Sequence, residues 1–582
     1  MNLNTQTSGK IVKALFIFPT LMAKCTLFAV AGEGAWVPPI GIPAPPFGIV
    51  EQAPARPKPW TGAVPGFYYI DKQHPNATNT NNIFGYPDKP RTSIPGLWGV
   101  PFPAGSVVEI HGHYDYPQTI FNAGKGTREA PIFIRGMDAA TKPLISGAFY
   151  VVGCSYVVFE NLKFADADGD LSKGSTGSFG ISDTNRVKAD SDHIVLRHCE
   201  VSGNMGAGSG TSIHGYAYET IISHVVFYDN FIHDCGNVNA TNDQDAHAIA
   251  VGGNTDHVWI LDNEMARCSG DGLQINGFGM GDPGRLNHIY AGRNHSHHNK
   301  QTGLGTKTAA DVVFSQNVVH GHRYSNSSPG AGITTLYAPE RVWIIYNHSY
   351  DNEIGIHNGS DSTTFGKDLY IIGNVINNIH RGSASPAGGD GWGQAGIMMS
   401  GGVNRYIINN TIYDVDAGIN TPSPNAIYMS NNIISNVTKP DGKHINIAIP
   451  GKWEVKNCLF YQNGGPARIK IGSGVYSLPQ LTSAFSKVQG CLTADPLFVN
   501  AATDDYRIQS TSPAVDSALE AGVYATFKDL YGLDISLGFD GTVRPQGPAC
   551  DMGAYELVTP AKVRPASPGT PKVDVLRPNP PK

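Results

Sequence analysis

The sequence predicts an all-β chain wound as a right-handed parallel β-helix, with an asparagine ladder and a β-rich C-terminal extension. Three observations predict it. A short β-prone run ending at one polar position recurs eleven times, from YVVFENLKF through HVVFYDNFI and HVWILDNEM to WEVKNCLFY. That position is Asn161, Cys199, Asn230, Asn263, Asn294, Asn317, Asn347, Asn374, Asn410, Asn431 and Asn457, at steps of 21 to 38 residues. An amide both donates and accepts, so amides stacked one strand spacing apart satisfy one another in a buried column. Repeats of this period are the mark of a solenoid. The second observation is composition: 68 Gly and 40 Pro among 582 residues, with 15% charged. Such a chain turns often, and its β-branched runs of four to six residues outnumber any helical pattern. The third is a second strand in each coil, usually opened by Gly: DGLQING, TGLGTKT, AGITTLY, IGIHNGS, AGIMMSG and AGINTPS.

Taken in order, residues 1–31 read as an export signal. Lys10 and Lys13 precede an apolar stretch from Ala14 to Val30, and Ala29-Val30-Ala31 fits a small-residue cleavage site. Lys24 interrupts that stretch, so no stable membrane span is expected, and the protein is expected to be secreted or periplasmic. Residues 32–65 are proline-rich and read as an extended linker. The β-helix is expected over 66–462. A C-terminal module over 463–558 contains ADPLFVN, DDYRIQSTSPAVDSA, FDGTVRP and DMGAYE, and 559–582 has the composition of a disordered tail. A net charge of −6 over this length argues against a dedicated nucleic-acid binder. Cys235 and Cys268, each five residues after a ladder position, should stack as a disulfide or as two buried thiols. Cys491 and Cys550 flank the C-terminal module and are candidates to pair.

The opening YYIDKQHPNATNTNNIFGYPDKPRTSIP, the coils, and the closing DPLF, DYRI, SPAVDSA and DMGAYE resemble secreted bacterial right-handed parallel β-helix proteins. That class includes pectate-lyase-like polysaccharide lyases, alginate and chondroitin lyases, and mannuronan epimerases. The resemblance implies an exported enzyme acting on a polysaccharide, expected to be acidic. The scaffold also carries hydrolases and non-catalytic binding proteins, so the reaction has to be argued from the site.

In the second strand the apolar residue after Gly points inward, and alternation turns the next one outward. The outward row is then Gln274, Gly305, Thr334, His357, Met398 and Asn420, with His214 and Ala250 in the same place. Around it gather Asp243, Asp245, His247, Asp271, Asn276 and Lys307. Cleavage of a uronate by β-elimination requires its carboxylate to be neutralised, its C5 proton removed and the leaving oxygen protonated. Lys307, in GLGTKT, is the expected base, since a lysine near a cation can lose its proton. Asp243, Asp245 and Asp271 offer hard oxygen ligands suited to Ca²⁺; the bland alternative is turn aspartates bonding their own backbone. The order of these aspartates and then Lys307 resembles calcium-dependent pectate lyases. LGTKT also resembles the base-lysine strand of the alginate and chondroitin lyases. That family has an arginine in the next coil, where this chain has Leu336 or Tyr337. Tyr337 is a candidate proton donor, with Arg341 or Arg323 approaching from a loop. Epimerases of this fold use an Asp/His cluster, which makes His247 the alternative base. Gln274, Asn276, His357, Arg341 and His214 are the expected substrate-binding residues. Three other functions stand beside the lyase: a glycoside hydrolase using the aspartates as acid and base, a C5 epimerase, and a non-catalytic carbohydrate-binding β-helix. The histidines of 288–298, with His320 and His322, form a metal-like tract in sequence, but neighbours on a strand face opposite ways; surface histidines are expected.

Overall fold

The computed structural model describes residues 36–558, apart from 96–101, 166–177, 183–187, 204–208, 216–219, 242–243, 278–282, 360–365, 383–393, 423–425 and 448–450. The signal over 1–31, the tail over 559–582 and Asp243 therefore lie outside the described residues. The chain is a right-handed parallel β-helix. Fifteen strands stack into one face, and a twenty-five-strand sheet divides after Leu144–Val151 into two more faces. One coil shows the plan. Thr255–Leu261 runs along the first face, Glu264–Ala266 along the second and Leu273–Asn276 along the third. Left-handed residues make the corners, Asp262 at φ 57° before the second face and Arg267 at φ 55° after it. Asp tolerates this region through local hydrogen bonding.

The inward residues form one continuous core. Phe149 and Phe179 stack at 6.2 Å near its beginning, and β-branched residues such as Ile344, Ile371, Ile407 and Ile412 fill it further on. The asparagine column is present, with a shift of one residue in places. It runs Asn230, Asn263, Asn294, Asn317, Asn347, Asn374, Asn410 and Asn432, each Nδ2 donating to the next Oδ1 at 2.8–3.1 Å. Each Oδ1 accepts the preceding backbone N–H as well, as Asn317 does from Asn294 at 3.0 Å. The thiols of Cys199 and Cys458 stand at its two ends.

Asn161, Asn431 and Asn457, expected in the column, are instead the left-handed residues one step before it, at φ 56°, 59° and 46°. Two of them have another task. Asn431 exchanges hydrogen bonds with Leu519, and Asn457 donates to Ser517 O, while Asn409 at the same corner reaches Asp551 O and Gly553 O. This row of amides fastens the C-terminal module to the outside of the solenoid. Within the module, helix Leu478–Ala484 buries Leu478 and Leu481 over the last coils. Helix Val523–Tyr531 packs Phe527 edge-on against Trp343 at 4.8 Å.

The described part of the segment expected as an extended linker is docked on the sheet. From Val37 onward this segment lies as an ordered arm along the outside of the first face. Pro43 O accepts from Trp259 Nε1 at 2.8 Å, Ile40 is bonded to Gln316 and Ser315, and Arg197 donates to the carbonyls of Gly48, Ile49 and Glu51. Prolines leave carbonyls without competing N–H groups, which side chains of the sheet then satisfy.

All seven described cysteines are free thiols. Cys235 and Cys268 are buried on adjacent coils without a bond between them. Cys491 has Cys458 beside it instead of Cys550: Leu459 pairs with Leu492, and a hydrogen bond from the Cys458 thiol lowers the Cys491 pKa. Among the described residues no helix is long and apolar enough to cross a membrane.

Candidate functional site

The third face carries the polar cluster, in which Asp271, Gln274, Thr334 and His357 are all buried; the stretch they line is called the groove. Its strands lie in parallel register, so a residue's place follows from its partners. Ala250, Gln274, Gly305, Thr334 and His357 form one outward row, as expected. His214 does not belong to it. His214 is opposite Gly252, which continues to Asn276, Lys307 and Leu336, so it stands in the neighbouring row. Gly252 makes room for it: a Cβ there would come within 2.7 Å of His214 Nδ1.

Three consecutive coils build one wall of the groove. Ile249 pairs with Leu273, so His247, two residues earlier, stands opposite Asp271. Asp271 in turn lies beside Thr302, whose backbone N–H donates to Asp271 Oδ1 at 2.9 Å. Asp271 Oδ2 accepts from Gln274 Nε2 at 3.0 Å, and Gln274 Oε1 accepts from Asn276 Nδ2 at 3.1 Å. The carboxylate and both amides thus form a chain across the groove floor. His247 is buried. Its Nδ1 accepts the Asp271 backbone N–H at 2.8 Å, and its Nε2 lies 3.3 Å from Asp245 Oδ1. Gln301 Nε2 donates to the same oxygen at 3.1 Å. With Nδ1 committed to a backbone N–H and Nε2 turned towards Asp245 at 3.3 Å, the buried His247 presents no nitrogen to a C5 proton, which corrects the expectation of His247 as base.

Opposite this wall stands Lys307. Among the described residues its amine has one contact, the ring of Tyr337 at 5.9 Å from the centroid. Tyr337 is in the left-handed region at φ 52°, and its carbonyl accepts from Thr308 Oγ1 at 2.6 Å. Between wall and lysine the floor is Gly305, where a Cβ would meet Thr334 Cγ2 at 3.2 Å and Asp271 Oδ2 at 3.9 Å. Lys307 lies two residues along the strand from Gly305, about 7 Å at strand rise, a span suited to one sugar ring. Thr334 and His357 extend the floor, with Thr334 Oγ1 and His357 Nδ1 at 3.3 Å.

Arg341 is not part of this site. It lies on the first face, within strand Glu340–Ile345, and holds Asp311 by two bonds of 2.7 Å. That pairing raises its pKa further. Arg323 is bound to Asp351 at 2.7 Å. Neither supplies the arginine that the alginate and chondroitin lyases place beside the base.

The described aspartates do not fit a calcium cage. His247 stands between Asp245 and Asp271, at 3.3 and 3.5 Å, and both Asp271 oxygens are held by N–H donors. A hard cation needs converging oxygens instead. Among the described residues no three His, Cys, Asp or Glu side chains converge to hold a metal. The histidine tract separates as well. His288 stacks on His257 on the first face, His295 Nε2 meets His320 Nε2 at 2.9 Å on the second, and His322 is buried.

Neither a protein-family profile nor a curated protein matches the sequence. Solved structures of similar course include the pectate lyase Pel9A, with a TM-score of 0.39 and 13% identity over 84% of this chain and 96% of that one. PfbA, a surface adhesin of Streptococcus pneumoniae, gives 0.40 and 13% over 64% and 86%. The GH136 lacto-N-biosidase from Eubacterium ramulus gives 0.38 and 14% over 68% and 67%. At these scores they carry no chemistry over to this chain.

Proposed function

We propose that the protein is an exported enzyme that cleaves a uronate-containing polysaccharide by β-elimination in the groove of the third face, with Lys307 as the base. The observation that carries this reading is the Lys307 amine, which among the described residues meets only the Tyr337 ring and stands beside Gly305 and the amides of Gln274 and Asn276. A shallow groove along stacked coils suits a long, repetitive polymer.

A uronate ring lying over Gly305 presents C5 to Lys307. The Lys307 amine takes the C5 proton, and the electron pair left behind forms the C4–C5 double bond. The C4–O4 bond breaks, and the Tyr337 hydroxyl gives its proton to the departing oxygen. The Asn276 amide and the His214 imidazole, in the same row as Lys307, donate to the carboxylate as negative charge spreads onto it. Asp245, held by His247 and Gln301, receives hydroxyls of the neighbouring sugar. Export rests on the leader read in residues 1–31.

One observation favours a second reading. Asp245 and Asp271 flank His247 at 3.3 and 3.5 Å, which limits their oxygens to at most about 9 Å apart and so admits the separation of about 6.5–9.5 Å used by inverting glycosidases. Against it, the imidazole fills the space where the attacking water would sit, and Asp271 is 5% exposed. Lys307→Ala and Asp245→Asn separate the two. Elimination loses its rate with Lys307→Ala, detected as unsaturated product, whereas hydrolysis loses it with Asp245→Asn, detected as reducing ends. Full elimination by Lys307→Ala would falsify the assignment of the base.

A further inference from the structure

A second polar site lies on the other side of the molecule, where the N-terminal arm crosses the first face. A pocket of about 450 Å³ opens there, lined by arm residues up to Arg56 and by Arg135, Glu160, Asn161, Arg197 and His198 of the sheet. That volume is within the range of small-molecule sites, about 300–1,000 Å³. The wall is built by register: Glu109, Arg135, Glu160 and Arg197 are opposite one another on four successive strands, a column of alternating charge.

The members of this column are unequally satisfied. Arg197 is saturated by Glu160 at 2.7 Å and by three carbonyls of the arm. Glu160 is thereby occupied by Arg197. Among the described residues Arg135 has one ion-pair contact, 3.7 Å from Nε to Glu160 Oε1, too long for a hydrogen bond, and its Nε is buried without a hydrogen-bond partner. Arg56 Nε is likewise buried and unbonded, 3.3 Å from Glu109 Oε2, with its guanidinium stacked over Trp60 at 5.3 Å. Asn161, held at φ 56° on the pocket rim, makes no side-chain hydrogen bond among the described residues. Buried polar atoms without partners are uncommon in folded proteins, and each calls for something to bond it. Two guanidinium groups and a free amide around one pocket match a carboxylate beside sugar hydroxyls.

We propose that this pocket binds a uronate unit, its carboxylate on Arg135 and Arg56 and a hydroxyl on Asn161, at a site separate from the groove. The choice of a uronate rests on the reading of the groove; the guanidinium pair by itself asks only for a carboxylate. Binding of glucuronate to the whole protein, measured by calorimetry, tests it, with glucose and sulfate as comparisons. Glucuronate is expected to bind while glucose does not, and sulfate at least 10-fold more weakly. Arg135→Met should weaken glucuronate at least 10-fold. Since Arg135 also separates Glu109 from Glu160, a second variant guards against misfolding: Asn161→Asp tolerates the left-handed backbone and should repel the carboxylate to a similar extent. Lys307→Ala should bind as the wild type does, even if the groove proves to have no elimination activity. Sulfate binding as tightly as glucuronate, or binding lost in Lys307→Ala and kept in both pocket variants, overturns the proposal.

Discussion

Asn317→Ala removes one step of the amide column, and its cost can be worked from four hydrogen bonds. Asn317 Oδ1 accepts from Asn294 N and Asn294 Nδ2, and Asn317 Nδ2 donates to Ala291 O and Asn347 Oδ1, at 2.8–3.0 Å. Asn347 Oδ1 keeps the Asn317 backbone donor, and a carbonyl tolerates losing one of two bonds. The damage falls on two Asn294 donors, which are left without an acceptor at a position that is 0% exposed. At about 1–3 kcal/mol for each unsatisfied donor, the loss is about 2–6 kcal/mol. Urea unfolding followed by circular dichroism reads it. With a slope near the top of the small-protein range, about 3 kcal/mol/M, the midpoint falls by about 0.7–2 M. The comparison is Asn161→Ala, outside the column, which adds only the strain of Ala at positive φ, about 1 kcal/mol. Equal midpoints for Asn317→Ala and wild type would show that the column does not fasten the coils.

Gly305→Trp should abolish turnover, because the new ring fills the buried space beside Asp271 and Thr334, with circular dichroism checking that the solenoid still forms; retained turnover in a folded variant places the chemistry elsewhere. Acid should destabilise the fold. Burial lowers His322 to about 3 and His444 to about 4, so below about 6.5 the unfolded chain binds protons that the native one does not. Stability is then flat above about pH 7 and falls from about pH 6.5 towards pH 4. His322→Asn, which keeps a donor beside Asn352 Oδ1, should make that fall shallower in urea midpoints measured across the range. Oxidised glutathione should join Cys458 to Cys491, which face each other on paired segments, at the separation of neighbouring strands, within reach of a disulfide. Peptide mapping should find that link, and a Cys491–Cys550 link would contradict it.

The coil pattern was legible because the column imposes one residue type at one place per turn. The errors came where two demands favour the same residue. In Asn431-Asn432 the first Asn makes the left-handed corner and the second joins the column, and the sequence does not tell them apart. At Asn457-Cys458 and Asn161-Leu162 the corner Asn stands beside a column position that carries no amide at all. The arm was misread because proline content reports a lack of donors, while its docking depends on side chains more than 140 residues away, such as Arg197 and Trp259. Arg341 had a signal that was available: ERVWIIYN repeats the ladder strand, which assigns it to the first face. The groove residues Gln274, Asn276 and Lys307 followed from alternation alone, whereas His214 needed the register. The hydrogen bond that commits His247 Nδ1 comes from a backbone N–H one coil away and leaves no trace in the sequence.

Elimination at Lys307 is read most directly by ultraviolet absorbance of the unsaturated uronate, over a panel of acidic polysaccharides, for wild type and Lys307→Ala. Absorbance should rise with wild type on at least one polymer and stay flat with Lys307→Ala, whose circular dichroism matches the wild type. New reducing ends without absorbance, lost in Asp245→Asn and kept in Lys307→Ala, would contradict it and assign the groove to hydrolysis.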